Sequence, residues 1–161
     1  MARYEKFEAF KKLGVSQIAN KGLGLVALED IHAGERVLKL GGRLLKRRPA
    51  RDPRSMRIGE KLYLTSSGFL DDYLNHSCEP NCAIDFSSLT LFAIKHIKKG
   101  EEITVNYCTI EYQIAPSYRF RCACGSKSCV GVVSGFKNLP KNKKEELLRF
   151  VAPYIKMRVQ L

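Results

Sequence analysis

Short apolar runs, separated by turns that contain glycine, asparagine or proline, dominate the chain up to residue 107. Runs of this length bounded by turn residues are typical of β-strands, because a stable helix needs a longer periodic segment. The predicted strands occupy residues 15–19, 25–28, 36–40, 61–65, 89–93 and 103–107. Residues 46–57 hold two prolines and many charges, so we expect an irregular loop there. The pattern indicates a mainly β domain with long connections.

A helical pattern occurs only in the C-terminal part of the chain. Leu147, Leu148 and Val151 form an apolar stripe with i, i+1, i+4 spacing. Asn142 is suited to cap this helix, with Glu145 three residues on as its return partner. Pro153 is expected to disturb the end of the helix. We therefore predict a terminal helix that follows the β domain.

The composition is that of one globular domain with one core, since 45% of the 161 residues are hydrophobic. No apolar run is long enough to span a bilayer. The charged N-terminus lacks the apolar core of a signal peptide. We expect an intracellular, cytoplasmic monomer that does not bind membranes. Transport to the nucleus or secretion into a host is compatible with the same features.

The formal net charge is +12, and most of the excess lies in two segments. Residues 39–57 hold eight basic residues and one acid, and residues 137–158 hold seven basic residues and two acids. Basic surface of this kind attracts nucleic acid or an acidic partner. It also serves as a solvated face that keeps a small protein soluble. Composition alone favours the two interpretations about equally.

Three of the six cysteines form a C-x-C-x4-C motif, Cys122, Cys124 and Cys129. Three thiolates this close can converge on one Zn²⁺ at sulfur distances of about 2.3 Å. The fourth ligand would come from one of the remaining cysteines, Cys78, Cys82 and Cys108. Reduced structural cysteines without a metal are the alternative. A zinc ion with four cysteine ligands would organise structure, because no coordination position stays open for a substrate.

Four segments occur in one order: residues 21–24 (KGLG), 73–82 (YLNHSCEPNC), 100–107 (GEEITVNY) and 122–131 (CACGSKSCVG). Together they resemble the SET domain family of lysine methyltransferases with its post-SET zinc motif. The resemblance covers about residues 14–131, and the Asn-His-Ser-Cys-x-Pro-Asn string carries most of its specificity. The tail is similar to that of small bacterial or archaeal-type members.

The resemblance implies a mainly β, β-clip-like SET fold. Short sheets would surround a pseudoknot-like active-site segment, followed by a zinc knuckle and a terminal helix. The implied division is an N-terminal segment (1–13), a SET domain (14–113) with a variable insert at about 43–60, a post-SET zinc knuckle (114–133) and a C-terminal helical extension (134–161).

The implied activity is protein-lysine N-methyl transfer from S-adenosylmethionine, with Tyr107 as the catalytic residue. Tyr107 would orient the substrate amine for in-line transfer. The implied cofactor-binding residues are Lys21, Gly22, Leu23, Gly24, Asn75, His76, Tyr107 and Phe120. In this family the cysteine of the Asn-His-Ser-Cys string joins the post-SET trio, so the implied zinc ligands are Cys78, Cys122, Cys124 and Cys129. Cys82 and Cys108 would be ordinary buried thiols.

The chain departs from the family pattern at the implied substrate channel. Leu40, Ile84 and Val105 occupy positions where aromatic residues are common, and Asp72 stands where an arginine is common. The channel would therefore be more apolar and roomier, which predicts di- or trimethylation. The expected partner is a protein with a target lysine, such as a histone or another chromatin- or nucleoid-associated protein, with nucleic acid contact through the basic surface.

Two other functions fit parts of the sequence. A catalytically silent SET-like zinc module would bind a peptide or nucleic acid, but it need not keep Tyr107, Asn75 and His76 together. A small zinc-stabilised nucleic-acid binder is less favoured, because no zinc-finger helix and no basic strand rich in aromatic residues is evident.

Overall fold

The structure, a computed structural model, describes residues 12–50 and 52–160. Its strands are β1 (Leu13–Ile18), β2 (Gly22–Ala27), β3 (Arg36–Lys39), β4 (Leu44–Leu45), β5 (Met56–Gly59), β6 (Leu62–Leu64), β7 (Asn75–His76), β8 (Cys82–Asp85), β9 (Thr90–Ala93), β10 (Thr104–Val105), β11 (Phe120–Arg121) and β12 (Val132–Val133). The helices are α1 (Lys141–Leu147) and α2 (Pro153–Val159). Short 3-10 helices span Leu70–Tyr73, Tyr107–Thr109, Pro116–Tyr118, Phe136–Asn138 and Leu148–Phe150.

The strands form small sheets rather than one continuous sheet. β1 and β2 form an antiparallel hairpin, β3-β9-β8 and β4-β6-β5 are three-stranded antiparallel sheets, and β11 pairs antiparallel with β12. β7 and β10 pair in parallel, with Thr104 opposite Asn75 and Val105 opposite His76. This parallel pair brings residues 73–82 and 100–107 side by side, although they are distant in sequence. The mainly β architecture agrees with the predicted one.

Burial along β9 alternates, as expected for a strand with one face on the core. Leu91 and Ala93 are buried, whereas Thr90 and Phe92 are only partly covered. Antiparallel neighbours share a face, so Arg36 of β3 lies beside Phe92. The sheet therefore has an apolar inner face and a mixed outer face.

The buried apolar side chains form two clusters. The larger cluster includes Leu25, Leu91 and Ile103, which have no exposed surface. The second cluster is formed mainly by the C-terminal part of the chain and includes Phe136 and Tyr154. Phe86 and Tyr107 pack against both clusters. Tyr107 therefore lies where the two clusters meet.

The C-terminal helical pattern is interrupted, in contrast to the single helix predicted. α1 begins at Lys141 after Pro140, which makes no side-chain capping hydrogen bond, so the predicted cap at Asn142 is wrong. Ala152 is extended because the following proline disfavours helical backbone. Pro153 then starts α2, a position where its missing N–H costs nothing.

No helix within residues 12–50 and 52–160 has the length and apolar character needed to cross a membrane. The predicted domain boundaries at residues 13, 113 and 133 stay predictions. The N-terminal segment 1–13 lies mostly outside the described residues. Part of the predicted 46–57 loop is ordered as β5, which pairs with β6.

Candidate active site and cysteine cluster

Two glycines at the turn between β1 and β2 are required for different reasons. Gly22 has φ +81°, a left-handed conformation that glycine adopts without strain. Gly24 has an ordinary φ but a close environment. A Cβ atom there would lie 2.7 Å from Asn75 Nδ2 and 2.9 Å from Glu102 Oε1. Gly24 is therefore required for the approach of Asn75 and Glu102 to the turn.

Glu102 connects the turn to the other two motif segments. Its Oε2 lies 2.5 Å from Lys21 Nζ, and its Oε1 accepts a hydrogen bond from Asn75 Nδ2 at 2.8 Å. The same Asn75 nitrogen donates to the Leu23 carbonyl at 3.1 Å. The Lys21 and Glu102 side chains are only 14% and 15% exposed, so this ion pair is largely shielded from water. Glu102 lies inside the 100–107 motif, but the sequence alone indicates no role for it.

Asn81 is a second residue whose role the sequence did not reveal. Its Nδ2 donates to the Glu102 carbonyl at 2.7 Å, and its Oδ1 accepts from the Thr104 N–H at 2.8 Å. Both halves of this buried amide are satisfied. Asn81 therefore fixes the 100–107 segment against the Asn-His-Ser-Cys string. The position of an asparagine within the motif was the only sequence signal.

The His76 ring is held between Tyr107 and a cysteine. The Tyr107 main-chain N–H donates to His76 Nδ1 at 3.1 Å, so Nδ1 carries no proton. The neutral ring then has its proton on Nε2, which lies 3.3 Å from Cys78 Sγ. Burial, with a smaller effect of the Lys21 charge, lowers the pKa of His76 to about 4. The imidazole therefore stays neutral at physiological pH.

The Tyr107 side chain has a protonated, directed hydroxyl. It donates to the Leu74 carbonyl at 2.6 Å. Burial and the nearby Glu102 charge raise the pKa of Tyr107 to about 12. The Phe120 ring stands edge-on to both the Tyr107 and His76 rings, with centroids 6.0 Å away in each case. The structure thus brings together the predicted Tyr107, His76 and Phe120.

A cavity of about 460 Å³ opens beside this tyrosine. Tyr107, Leu74, Val105 and Phe120 line one part of it. Of the three predicted channel residues, Val105 alone is among the described lining residues. Leu40 and Ile84 are buried in the larger core cluster, and Ile84 lines a different cavity.

Asp72 also lines this cavity and orders the turn before it. Its carboxylate accepts hydrogen bonds from the Ser66 hydroxyl at 2.5 Å and from the Ser67 and Gly68 N–H groups at 3.0 and 2.8 Å. Burial alone would raise the pKa of Asp72, but these hydrogen bonds outweigh it and lower the pKa below its usual value. Asp72 is therefore an ionised, fully engaged carboxylate that shapes the cavity wall.

The four predicted zinc ligands lie together. The Sγ atoms of Cys78, Cys122, Cys124 and Cys129 are all within 4.8 Å of one another. Cys78 Sγ lies 3.8 Å from Cys122 Sγ and 3.9 Å from Cys129 Sγ. Sulfurs at about 2.3 Å in a tetrahedron around zinc are about 3.8 Å apart, so the cluster fits this metal. Cys82 and Cys108 are buried and lie outside the cluster.

The cysteines of the cluster differ in acidity, because burial raises the pKa of the Cys78 thiol and raises the pKa of Cys122 to about 11. The Val130 and Gly131 N–H groups point at Cys78 Sγ and Cys129 Sγ at 3.5 and 3.4 Å. Burial raises the pKa of the Cys124 thiol, but hydrogen bonds that include the Ser126 hydroxyl outweigh it and lower the pKa to about 6. Thiolate is the form that binds zinc. A bound Zn²⁺ would favour the thiolate form of all four cysteines, and the spacing of the four sulfurs suits a structural Zn²⁺.

Comparisons with known proteins agree with this geometry. The family model described as SET domain matches residues 22–108. The H3 lysine-36 specific histone-lysine N-methyltransferase of Yarrowia lipolytica is 29% identical over 153 residues, covering 81% of this chain and 20% of that protein. The histone-lysine N-methyltransferase trithorax of Drosophila melanogaster is 32% identical over 137 residues, covering 73% of this chain and 4% of that protein.

Two solved structures have a similar fold. The methyltransferase domain of human histone-lysine N-methyltransferase SETMAR has a TM-score of 0.62 at 24% identity and covers 76% of this chain and 58% of that one. KRYPTONITE, in complex with mCHG DNA and SAH, has a TM-score of 0.61 at 27% identity and covers 75% of this chain and 28% of that one.

The chain spans only a small fraction of the length of these two histone methyltransferases. The family match nevertheless covers more than half of the chain. The predicted mainly β fold and the family resemblance are both confirmed. With the motif segments assembled around Tyr107, the chain belongs to the SET domain family.

Proposed function

We propose that this protein is an S-adenosylmethionine-dependent protein-lysine N-methyltransferase. The observation that carries the proposal is the position of the Tyr107 hydroxyl, which lies beside the Leu74 carbonyl at the edge of the 460 Å³ cavity. Glu102 connects the glycine turn and Asn75, because it pairs with Lys21 and accepts a hydrogen bond from Asn75. The relatives named as histone-lysine N-methyltransferases support the same reaction.

The cofactor would bind between the glycine turn, the Asn75–His76 strand and Phe120. When bound, S-adenosylmethionine supplies the electrophilic methyl group. Asn75 Oδ1 makes no hydrogen bond to any described residue, so it is the group we propose for the cofactor's ammonium. Both ring nitrogens of His76 are engaged. Any contact of His76 with the adenine would therefore use its main chain or the face of its ring.

The substrate lysine would reach Tyr107 through the cavity. Its amine must be neutral to attack, and Tyr107 remains protonated because of its raised pKa. Tyr107 therefore orients the amine and is not the base that deprotonates it. The Leu74 carbonyl is an acceptor within reach of the same position. The lysine proton would leave through the cavity to solvent.

The number of methyl groups added to the lysine depends on the side chains around its amine. Val105 lies beside Tyr107 in the cavity and offers no hydroxyl to hold a water or restrain the amine. An unrestrained amine can turn between transfers and accept a further methyl group. We therefore propose di- or trimethylation. Mass spectrometry that finds only monomethyllysine after exhaustive turnover would contradict this.

The proposed substrate is a histone or another nucleic-acid-associated protein. Support comes from the relatives, which are named histone-lysine N-methyltransferases, and from the net charge of +12, which favours a setting with nucleic acid nearby. We propose that the protein works inside a cell as a monomer.

The decisive experiment compares the wild type with Tyr107→Phe. Calorimetry with S-adenosylmethionine should give similar affinities for both proteins. Methyl transfer from labelled cofactor to a histone panel should fall at least about 100-fold in the variant, since orientation and hydrogen bonding at the reacting amine are lost. No cofactor binding by the wild type would refute the proposal. Cofactor binding without transfer to any protein tested would favour the silent zinc module.

The matched control is Tyr154→Phe. Tyr154 is also buried, and its hydroxyl also donates to a main-chain carbonyl, that of Ile110, at 2.7 Å. It does not line the cavity beside Tyr107. We expect this variant to lose stability and to keep methyl transfer per folded molecule.

A further inference from the structure

A second cavity, of about 720 Å³, lies on the outer face of the β3-β9-β8 sheet, opposite the face that buries Leu91 and Ala93. We call it the outer groove. One wall is formed by Arg36 and by Thr90 and Phe92 of β9, and the other by residues of the 148–156 segment. No described residue lines both the outer groove and the cavity beside Tyr107. The outer groove is therefore separate from the proposed site of methyl transfer.

Aromatic rings form the floor and one wall of the outer groove. Phe92 points outward because β9 buries Leu91 and Ala93 on its opposite face. Phe150 approaches Phe92 with a centroid distance of 6.5 Å, and Phe86 also lines the groove. All three rings are only partly buried. Partly exposed rings in a groove offer flat apolar surfaces on which a planar ligand can stack.

Three exposed cations surround these rings. Arg36 lies opposite Phe92 in the sheet register, the Arg149 guanidinium carbon lies 4.5 Å from the Phe150 ring centroid, and Lys156 projects from α2. Among the described residues none of the three has an ion-pair partner. Two arginines that line the cavity beside Tyr107 differ in this respect, since Arg48 pairs with Glu111 and Arg57 with Glu60.

Asp85 is the acid among the described lining residues. Its two carboxylate oxygens accept hydrogen bonds from the Ser87 and Ser88 hydroxyls, each at 2.6 Å. These hydrogen bonds lower the pKa of Asp85 to about 2, so it remains ionised. Three cations against one carboxylate leave a net positive groove. The groove is complementary to an anionic ligand.

We propose that the outer groove binds a single-stranded segment of nucleic acid. Arg36, Arg149 and Lys156 would contact phosphates, and Phe92 and Phe150 would stack on bases. Single-strand binding by proteins combines these two elements, a positive groove and exposed aromatic rings. An acidic peptide would satisfy the cations but leave the rings without planar partners, and a duplex keeps its bases stacked inside. This inference does not depend on methyl transfer.

The first test measures the binding of a fluorescein-labelled oligothymidylate by anisotropy. The variant Arg36→Gln/Arg149→Gln/Lys156→Gln should bind at least about tenfold more weakly than the wild type. The plot of log K against the logarithm of the salt concentration should become less steep, with a slope smaller in magnitude by about 2. This is the change expected when three phosphate contacts on a single strand are lost. The control Lys61→Gln/Lys98→Gln/Lys99→Gln removes the same charge from exposed lysines outside the groove. Equal losses in the two triple variants would overturn the proposal.

The second test separates stacking from charge. Phe150→Leu keeps an apolar side chain but removes the ring, and it should weaken oligothymidylate binding by roughly tenfold. It should not weaken binding of an abasic strand of the same length. A polyglutamate peptide or a duplex that competes as well as the oligothymidylate would overturn the proposal in favour of that partner. Failure of the wild type to bind the oligothymidylate at low salt would also overturn it. Thermal melting checks that each variant is folded.

Discussion

The main sheet region and the cysteine knuckle, residues 122–131, are stabilised in different ways. The sheet region buries Leu25, Leu91 and Ile103 completely. In the knuckle no residue is buried, and no residue is assigned to a strand or helix. Hydrophobic burial contributes less there, because Cys122 and Val130 pack against a core cluster but stay partly exposed. The four clustered sulfurs can supply a further constraint by holding a metal. Packing therefore sets the geometry of the sheet region, whereas a metal held by the four sulfurs would set that of the knuckle.

The proposed active site lies where these two regions meet. Cys78 Sγ contacts His76 Nε2, and His76 Nδ1 accepts the N–H of Tyr107. A second link runs from the Glu79 carboxylate to the Ser128 hydroxyl and N–H at 2.6 and 3.1 Å. The cysteine cluster and the proposed site of transfer therefore share a hydrogen-bonded connection, which experiments on either region can test.

Removal of the metal should have the largest effect. The protein should contain one zinc ion, measured by atomic absorption, and a chelator should remove it. Structural zinc contributes about 10 kcal/mol or more to the folding of such sites, so the knuckle should become sensitive to protease. The sheet region should keep its β-type circular dichroism spectrum. Cys124→Ser should reproduce the metal-free state.

Cys82→Ala is the matched control for this prediction. Cys82 is buried but lies outside the cluster, so the variant should retain one zinc ion and lose only stability. Loss of zinc in Cys82→Ala, or no zinc in the wild type, would contradict the assignment of the cluster.

Cys78→Ser should affect cofactor binding more than Cys124→Ser does. Both variants should lose zinc, but only Cys78 contacts the His76 ring that holds Tyr107. We expect calorimetry with S-adenosylmethionine to show at least about tenfold weaker binding for Cys78→Ser than for Cys124→Ser, or about 1.4 kcal/mol. Equal affinities in the two variants would break the proposed connection between the regions.

Glu102→Gln should test the charged network on the opposite side of Asn75. The substitution keeps the shape of the side chain but leaves the shielded Lys21 ammonium without its partner. We expect a loss of about 2 kcal/mol of unfolding free energy by denaturant titration. We also expect weaker cofactor binding, because a single amide oxygen replaces the two carboxylate oxygens that accept from Lys21 and Asn75. Lys21→Met/Glu102→Gln should be less destabilised than Glu102→Gln.

Glu145→Gln provides the exposed counterpart. Its partner Lys141 lies 3.9 Å away, and both side chains are mostly in water. The expected change in unfolding free energy is below about 0.5 kcal/mol. If Glu102→Gln also changed stability this little, the shielded network would not organise the turn.

Much of this arrangement could be predicted from the sequence, and the exceptions share a physical cause. The strand runs, the glycine turn and the cysteine spacing are local patterns, and the family resemblance supplied Cys78. Glu102 was missed because its partner Lys21 lies 81 positions away, where no periodicity operates. The two-residue strands β7 and β10 are too short to produce a pattern.

The C-terminal segment and the outer groove illustrate the same limit. The sequence pattern predicts that Pro153 disturbs the end of a helix, but it begins α2 because the first helical position tolerates proline. Arg36 and Arg149 become neighbours in the groove only through the packing of the C-terminal segment on the sheet. Tertiary contacts of this kind leave no trace in local sequence.

A further prediction concerns the ionisation of Tyr107. Burial raises its pKa to about 12 in the folded protein, against 10.0 for an unperturbed tyrosine. Between pH 10 and 12 the unfolded chain ionises first, so the wild type should lose stability as the pH rises through this window. Tyr107→Phe cannot ionise, although it lacks the hydrogen bond to Leu74. Denaturant titrations should therefore show the stability of the wild type, relative to that of Tyr107→Phe, falling by about 2 kcal/mol between pH 7 and pH 12.

The same pH titration of the metal-free protein tests whether the knuckle contributes to the burial of Tyr107. Phe120, which leads into the knuckle, is one of the rings that shield Tyr107. If zinc holds Phe120 against Tyr107, removal of the metal should expose the tyrosine. The loss of stability above pH 10 should then differ less between the wild type and Tyr107→Phe. An undiminished difference in the metal-free protein would show that the sheet region alone shields the tyrosine.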